Sequence, residues 1–224
     1  MERHFVQQIE QLKSEIIRMG SVAEQMVDGA LRAFLDRSPE AAESVFRQEH
    51  QVNAYEIGID NEVADMLALH QPVARDLRFL LAAMKINNDL ERIGDHAVNI
   101  AESAVAYARR PELTIPADIP QMAQITREML RVVLDGFIHG NPEECRVVLR
   151  SDDSIDDLNR KIARDVITII KSNPDAVEQA FDLVRVSRNL ERIGDLATNI
   201  AEEVIYYLEA QVVKHQGDRG AATA

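Results

Sequence analysis

The chain has 224 residues with a formal net charge of −13, and 46% of them are hydrophobic but only 4% aromatic. An aliphatic composition with few glycines and prolines excludes a turn-rich all-β protein. The negative charge argues against nucleic acid as a binding partner and against direct attachment to anionic lipid. The single Cys145 excludes an internal disulfide, and no apolar run approaches the roughly 20 residues of a membrane span. We therefore expect a cytoplasmic protein without membrane insertion.

Turn signals divide the chain into six predicted helices. Ser38-Pro39-Glu40 and Asn141-Pro142-Glu143 each combine a capping residue, a first-turn proline and an acid. Pro72 and Pro174 mark the starts of the third and sixth helices. Between these signals, apolar residues recur at intervals of three and four, as amphipathic helices require. The predicted helices span residues 3–36, 39–70, 72–108, 118–139, 142–172 and 174–214.

The second half of the chain repeats the first. LERIGDHAVNIAE at residues 90–102 returns as LERIGDLATNIAE at residues 190–202, with only two positions changed. Short connections make neighbouring helices antiparallel. The predicted fold is therefore all-α. Six long antiparallel helices form two tandem three-helix bundles that arose by internal duplication. The predicted units are residues 1–110 and 111–215, followed by a flexible tail at 216–224; end-to-end and side-by-side packing of the bundles both stay open.

The repeated motif places acidic residues together on one helix face. Glu91 and Asp95 are four residues apart, as are Glu191 and Asp195, and such pairs share a face. Like charges at this spacing repel slightly, so their presence in both copies indicates a role other than helix stability. A solvated acidic face is the alternative for a single stripe. Arg92 and Arg192, the basic residues inside the motifs, should point about 40–100° away from these acids.

Acidic residues also occur on the helix before each motif. In a hairpin that turns near residue 173, Asp152 is level with Asp195, and Asp156 is level with Glu191. The sequence does not fix the rotation of each helix about its own axis. Facing stripes are therefore an expectation.

The first repeat has the same arrangement with one neutral member. There, Glu49 is level with Asp95 and Asn53 with Glu91. Clustered carboxylates destabilise a fold unless they are protonated or bridged by cations. Oxygen ligands favour magnesium, manganese or iron, with zinc also open. The predicted ligands of divalent or trivalent metal ions are Glu49, Asn53, Glu91, Asp95, Asp152, Asp156, Glu191 and Asp195.

With these motifs the sequence resembles the PhoU family of phosphate-signalling regulators over nearly its whole length. The resemblance rests on the acidic-x-x-x-Asp motifs Glu91–Asp95 and Glu191–Asp195 and on the Asp-x-x-x-Asp of the preceding helix, Asp152–Asp156. QPVARDLR at residues 71–78 is also typical of the family's first repeat.

The resemblance implies two three-helix bundles with metal ions, often multinuclear, at the acidic motifs, and no catalytic activity. It further implies a cytoplasmic negative regulator of phosphate uptake and of the phosphate-starvation response. The implied partners are the ATPase subunit of the phosphate ABC transporter and a sensor histidine kinase, which would recruit the protein to the inner face of the membrane. We also expect a homodimer. Glu49 and Asn53 depart from the aspartates common in the family, which bears on the nuclearity or affinity of the first site.

Two alternatives remain open on the residues themselves. A ferritin-like di-metal carboxylate oxidase requires Glu-x-x-His on its helices. His96 follows Glu91 by five positions, and the second repeat has Leu196 instead. A metal-free helical adaptor is the other alternative. No phosphate-binding loop, CxxC pair or nucleophile elbow occurs, so we predict no catalytic residue.

Overall fold

The structure, a computed structural model, describes residues 2–111 and 113–213, and six long α-helices make up most of this part of the chain. No strand occurs in these two ranges, so the predicted all-α fold class is confirmed. The helices are α1 (Glu2–Leu35), α2 (Pro39–His70), α3 (Ala74–Ala108), α4 (Asp118–His139), α5 (Pro142–Ser172) and α6 (Val177–Glu209).

The predicted proline starts of α2 and α5 are confirmed. Oγ of Ser38 accepts a hydrogen bond of 3.3 Å from the backbone N–H of Ala41. Oδ1 of Asn141 accepts one of 3.1 Å from the backbone N–H of Glu143. Each cap satisfies a backbone donor that the first helical turn leaves free, and the proline that follows has no such donor to lose.

Two predicted helix starts were wrong by a few residues. α3 begins at Ala74 and not at residue 72, because Gln71 adopts a left-handed conformation with φ of 47° and Val73 is extended. α6 begins at Val177, after a short 3-10 turn at Pro174–Ala176.

α6 also ends earlier than predicted. It ends at Glu209 because Ala210 turns left-handed, with φ of 57°, and its N–H donates to the carbonyl of Tyr206 at 2.9 Å. Residue 214 and the predicted tail at 216–224 lie outside the described ranges.

The helices form two bundles that lie side by side. α1, α2 and α3 pack on one another, as do α4, α5 and α6. Contacts between the bundles run from α3 to α6 and from α1 to α4, so α2 and α5 lie on the outer sides. This packing decides between the two arrangements that the sequence left open.

α3 and α6 run antiparallel at the centre of the molecule. Nζ of Lys85 lies 3.0 Å from Oε1 of Glu203, and further along the pair Nδ1 of His96 lies 2.9 Å from Oδ1 of Asn189. This register places the two LERIGD motifs at nearly the same level. The centre of the molecule therefore carries both acidic motifs.

The apolar stripe of each motif is buried in the core. Leu90 and Ile93 of α3, and Leu190 and Ile193 of α6, are fully buried. Burial of one such side chain contributes roughly 1.5–3 kcal/mol. Within the described ranges, no helix has the length and apolar character needed to cross a membrane.

Candidate metal centre

Acidic side chains of α5 and α6 face each other in the second repeat. The pKa of Asp152 is raised to about 6. Burial is the largest cause, followed by the nearby carboxylates of Asp195, Asp156, Asp153 and Glu191. A carboxyl group responds in this way only to charges close to it. The level match between Asp152 on α5 and Asp195 on α6 is therefore accompanied by the rotation that makes the two stripes face.

The two acids of the second motif, Glu191 and Asp195, lie in the same partly buried acidic environment. Burial raises the pKa of Glu191 and of Asp195, and the Asp156 carboxylate adds to both increases. Oε2 of Glu191 is buried and accepts no hydrogen bond within the described ranges. A buried carboxylate oxygen without a hydrogen bond is costly, and a cation beside it would reduce that cost.

Arg192 lies close to both acids of its motif. Its Nη1 is 3.4 Å from Oδ2 of Asp195, and its Nε is 3.8 Å from Oε2 of Glu191. The predicted offset of about 40–100° around the helix is compatible with these contacts, because the long arginine side chain can span it. In the first motif, Arg92 instead lies 3.8 Å from Asp89, on the side away from Asp95.

The first repeat brings together a similar group with one additional member. Burial raises the pKa of Glu91, followed by the nearby carboxylates of Asp95, Glu56 and Glu49. Glu56 was not among the ligands predicted from the sequence. It follows Asn53 by three residues and so shares its helix face, which is the signal that would have identified it. Asn53 itself is half-buried on α2.

His96 reaches across the interface between the bundles. Burial raises the pKa of Asp195 and the nearby His96 ring offsets part of this rise, so the histidine of the first motif lies near the acidic group of the second. His96 is half-buried against α6. The antiparallel register of α3 and α6 produces this proximity.

The glycines of the motifs serve helix packing. A Cβ on Gly194 would lie 2.9 Å from Cδ1 of Ile155, and one on Gly94 would lie 3.5 Å from Met26 and Val52. Both glycines therefore face apolar side chains of neighbouring helices. These contacts agree with a role of both glycines in close packing between helices.

The donor chemistry of both groups fits a hard cation. The side chains supply oxygen ligands, burial has removed part of their hydration, and their mutual repulsion favours a bridging positive charge. Across the described ranges, however, no group of three or more Asp, Glu, His or Cys side chains is positioned to hold a metal ion as it stands. The assignment of the eight predicted ligands stays a prediction.

Comparison with known proteins identifies the family. The PhoU domain matches this chain twice, over residues 16–104 and 119–204. The chain belongs to the PhoU domain family. Each match falls within one of the two predicted units, although the boundary between residues 110 and 111 stays a prediction.

Relatives in this family cover almost the whole chain. The phosphate-specific transport system accessory protein PhoU homolog of Aquifex aeolicus is 35% identical over 209 residues, which is 93% of this chain and 95% of that protein. The homolog of the same name from Clostridium acetobutylicum is 32% identical over 210 residues, 93% of this chain and 96% of that protein.

Crystal structures in the family share the fold. PhoU from Pseudomonas aeruginosa superposes with a TM-score of 0.90 at 31% identity, covering 92% of this chain and all of that one. The phosphate transport system regulatory protein PhoU from Streptococcus pneumoniae gives a TM-score of 0.86 at 25% identity, covering 93% of this chain and 99% of that one.

Proposed function

We propose that this protein is a metal-binding regulator of phosphate uptake that acts by binding other proteins and not by catalysis. The observation that carries the proposal is the pair of desolvated carboxylate groups, one in each repeat; in the second, the buried Oε2 of Glu191 accepts no hydrogen bond within the described ranges. The names of the relatives supply the physiological context, since they are phosphate-specific transport system accessory proteins.

Each site would join two helices of one bundle. Asp152 and Asp156 of α5 would hold the ion together with Glu191 and Asp195 of α6. A bound divalent or trivalent cation, such as iron, manganese, magnesium or zinc, supplies positive charge that offsets the repulsion among these carboxylates.

The first repeat would use the matching positions. Glu49 and Asn53 of α2 would hold the ion together with Glu91 and Asp95 of α3, and Glu56 lies beside them. Because the ligands come from both helices of a hairpin, metal binding would fix the distance and rotation between these helices, and with them the surface offered to partners.

The partners belong to phosphate uptake and signalling in this proposal. We infer contacts with the ATPase subunit of the phosphate ABC transporter and with a sensor histidine kinase, with a homodimer as the acting species in the cytoplasm. The protein would keep the phosphate-starvation response off when phosphate is plentiful.

A metal-free helical adaptor is the second candidate. The lack of a closed ligand set in the described ranges favours it. Elemental analysis of untagged protein, purified after metal supplementation at neutral pH, separates the two. We expect at least about one cation per repeat; under about half an equivalent per chain would support the adaptor.

Substitutions in the motif connect the metal to regulation. Asp195→Asn combined with Asp95→Asn removes one anion from each group and should abolish metal binding. Helicity should stay near the wild-type value, because packing depends on buried residues such as Ile193, which is fully buried. In cells, the double variant should leave phosphate-starvation genes active in rich phosphate.

A folding defect has a separate control. Ile193→Asp would bury an unpaired charge and should unfold the second repeat, which shows how loss of the fold itself affects regulation. If the double Asn variant binds no metal yet represses as well as the wild type, the proposed role of the metal is wrong.

A further inference from the structure

The exposed face of the α3–α6 pair carries positive charge in a protein whose net charge is −13. Five exposed basic residues occupy it, two from α3 and three from α6. We refer to them as the basic strip: Lys85, Arg92, Arg185, Arg188 and Arg192.

Contacts between the helices place the strip along their shared edge. Lys85 contacts Glu203 of α6, and Arg92 precedes His96 by four residues and so shares the face that contacts Asn189. Arg185 precedes Asn189 by four residues and lies on the corresponding face of α6. The strip is about 24 Å long, measured along the helix pair from the level of Lys85 to the level of Arg185.

Arg185 and Arg188 provide the charge that is available to a ligand. Neither forms an ion pair with any described residue, whereas Lys85 lies 3.0 Å from Glu203 and Arg192 lies 3.4 Å from Asp195. Arg92 forms a long ion pair of 3.8 Å with Asp89. Arg185 acts on Asp182, and Arg188 on Glu191, only through longer-range attraction. An exposed arginine that no carboxylate of the chain binds directly can pair with an anionic group outside the chain.

Exposed apolar side chains lie at both ends of the strip. Leu81 and Met84 precede it on α3, and Phe181, which is 62% exposed, lies beyond it on α6. Leu81 and Phe181 occupy equivalent positions in the two repeats. The face therefore has apolar ends about 36 Å apart along the helix pair, separated by a basic centre.

Acidic rows border the strip on both sides. Asp95 and Glu102 form one row on α3, and Asp195 and Glu202 form the other on α6, where Glu202 lines a cavity together with Leu81 and Lys85. The axes of two packed helices are about 8–10 Å apart, so the strip between these rows is narrow. A flat anionic membrane would meet the acidic rows as well as the arginines, whereas a single helix, about 10–12 Å wide, would meet mainly the arginines.

We propose that this face binds an acidic amphipathic helix of a partner protein. Carboxylates in the middle of that helix would pair with Arg185, Arg188 and Arg92, and apolar side chains near its ends would contact Leu81 and Phe181. The inference rests on the proposed function, a regulator that acts by protein contacts, and it supplies the chemistry of the partner.

A synthetic peptide tests the binding directly. The probe is a labelled helical peptide of about 24 residues with glutamates in the central turns and leucines in the end turns of one face. The matched peptide has lysines in place of the glutamates. Fluorescence anisotropy with the full chain should show at least about tenfold tighter binding of the acidic peptide, weakening as salt is added.

Variants locate the binding on the strip. Arg185→Gln with Arg188→Gln should weaken binding of the acidic peptide at least about tenfold. Arg164→Gln with Lys171→Gln removes the same charge from exposed positions of α5 and should change binding by less than about twofold. Phe181→Ser should weaken binding about fivefold, and the variant should fold as the wild type does because Phe181 is exposed.

Three results of the binding measurements would overturn the proposal. One is no binding of the acidic peptide by the wild type, and another is an equal loss in the α5 control. The third is preferential binding to phosphatidylglycerol vesicles through Arg185 and Arg188, which would assign the strip to a membrane.

A cell assay separates this proposal from the proposed function. If Arg185→Gln with Arg188→Gln loses peptide binding, keeps its metal and still represses phosphate-starvation genes, the strip is not the partner site and the metal-dependent regulator stands. If elemental analysis finds no metal while peptide binding depends on the strip, the metal-dependent function fails and the surface stands.

Discussion

Nδ1 of His96 lies 2.9 Å from Oδ1 of Asn189, so a residue of the first motif is hydrogen-bonded to the helix that carries the second. Nδ2 of Asn189 donates to the carbonyl of Arg185 at 2.7 Å, which turns Oδ1 toward the histidine. Because an amide oxygen only accepts, Nδ1 of His96 carries the proton. The second motif has Leu196 at the equivalent position, so this contact breaks the symmetry of the repeats.

A double-mutant cycle measures what this contact contributes. We expect His96→Ala and Asn189→Ala each to lower the free energy of unfolding, with a coupling of about 0.5–1.5 kcal/mol between them, as for one hydrogen bond. Urea denaturation of the wild type, the two single variants and the double variant gives the value. A coupling near zero would show that the hydrogen bond adds nothing to the joining of the bundles.

The two motif glycines should respond differently to alanine. Gly94→Ala meets no atom closer than 3.5 Å, so the variant should gain up to about 1 kcal/mol from the better helix former. Gly194→Ala places its Cβ 2.9 Å from Ile155, whose side chain must shift. We therefore expect a smaller gain or a loss. Thermal unfolding in the presence of chelator compares the two, and equal gains would contradict the packing described for Gly194.

Asp152 should make the metal-free protein less stable as the pH rises. Its pKa is raised by burial and by neighbouring carboxylates to about 6, from 3.8. Below about pH 4 the group is protonated in the folded and the unfolded protein, so its favourable contribution is then complete. As the pH rises through 6, Asp152 ionises in its partly buried site in the folded protein, which costs more free energy than ionisation in the solvated unfolded chain. The favourable contribution is therefore lost.

Asp152→Asn removes that dependence. In chelator, we expect the variant to gain stability over the wild type between about pH 4.5 and pH 7.5, by on the order of 1 kcal/mol once the solvent-facing part of the side chain is considered. Urea denaturation at both pH values gives the difference. A difference that stays constant with pH would show that Asp152 does not titrate in this range.

The second repeat should hold its cation more tightly than the first. It offers four potential anionic ligands, whereas Asn53 is neutral at the matching position of the first repeat, and cation affinity rises with ligand charge in similar geometry. Asp95→Asn leaves only the second site intact, and Asp195→Asn leaves only the first. Titration of each variant with a competing chelator should show at least about fivefold tighter binding in the first of these proteins.

Two substitutions in α2 refine that comparison. Asn53→Asp should raise the affinity of the first site, and Glu56→Gln should lower it, because Glu56 lies near Glu91. Neither should change the second site. A first site that empties last during graded chelation of the wild type would contradict the ranking.

The amino-acid sequence by itself determined the helices and the repeat. Ser38 with Pro39, and Asn141 with Pro142, act on backbone groups within one helical turn, so their effect can be read from neighbouring residues. The level match between Asp152 and Asp195 also follows from the sequence, because helix rise and a short turn fix position along a hairpin. The end of α6 was missed because a left-handed alanine, Ala210, carries no recognisable signal in the sequence.

Only the tertiary structure decided how these helices are rotated and which bundle surfaces meet. Side-chain packing between helices determines three contacts that the sequence did not predict. They are the proximity of Glu56 to Glu91, the ion pair of Arg192 with Asp195 and the contact of His96 with α6. Helical periodicity gives the direction of a side chain relative to its own axis, but not the orientation of that axis toward a neighbour. That orientation is set by the shapes of both packed surfaces at once, which is why the basic strip along α3 and α6 emerges only in the folded protein.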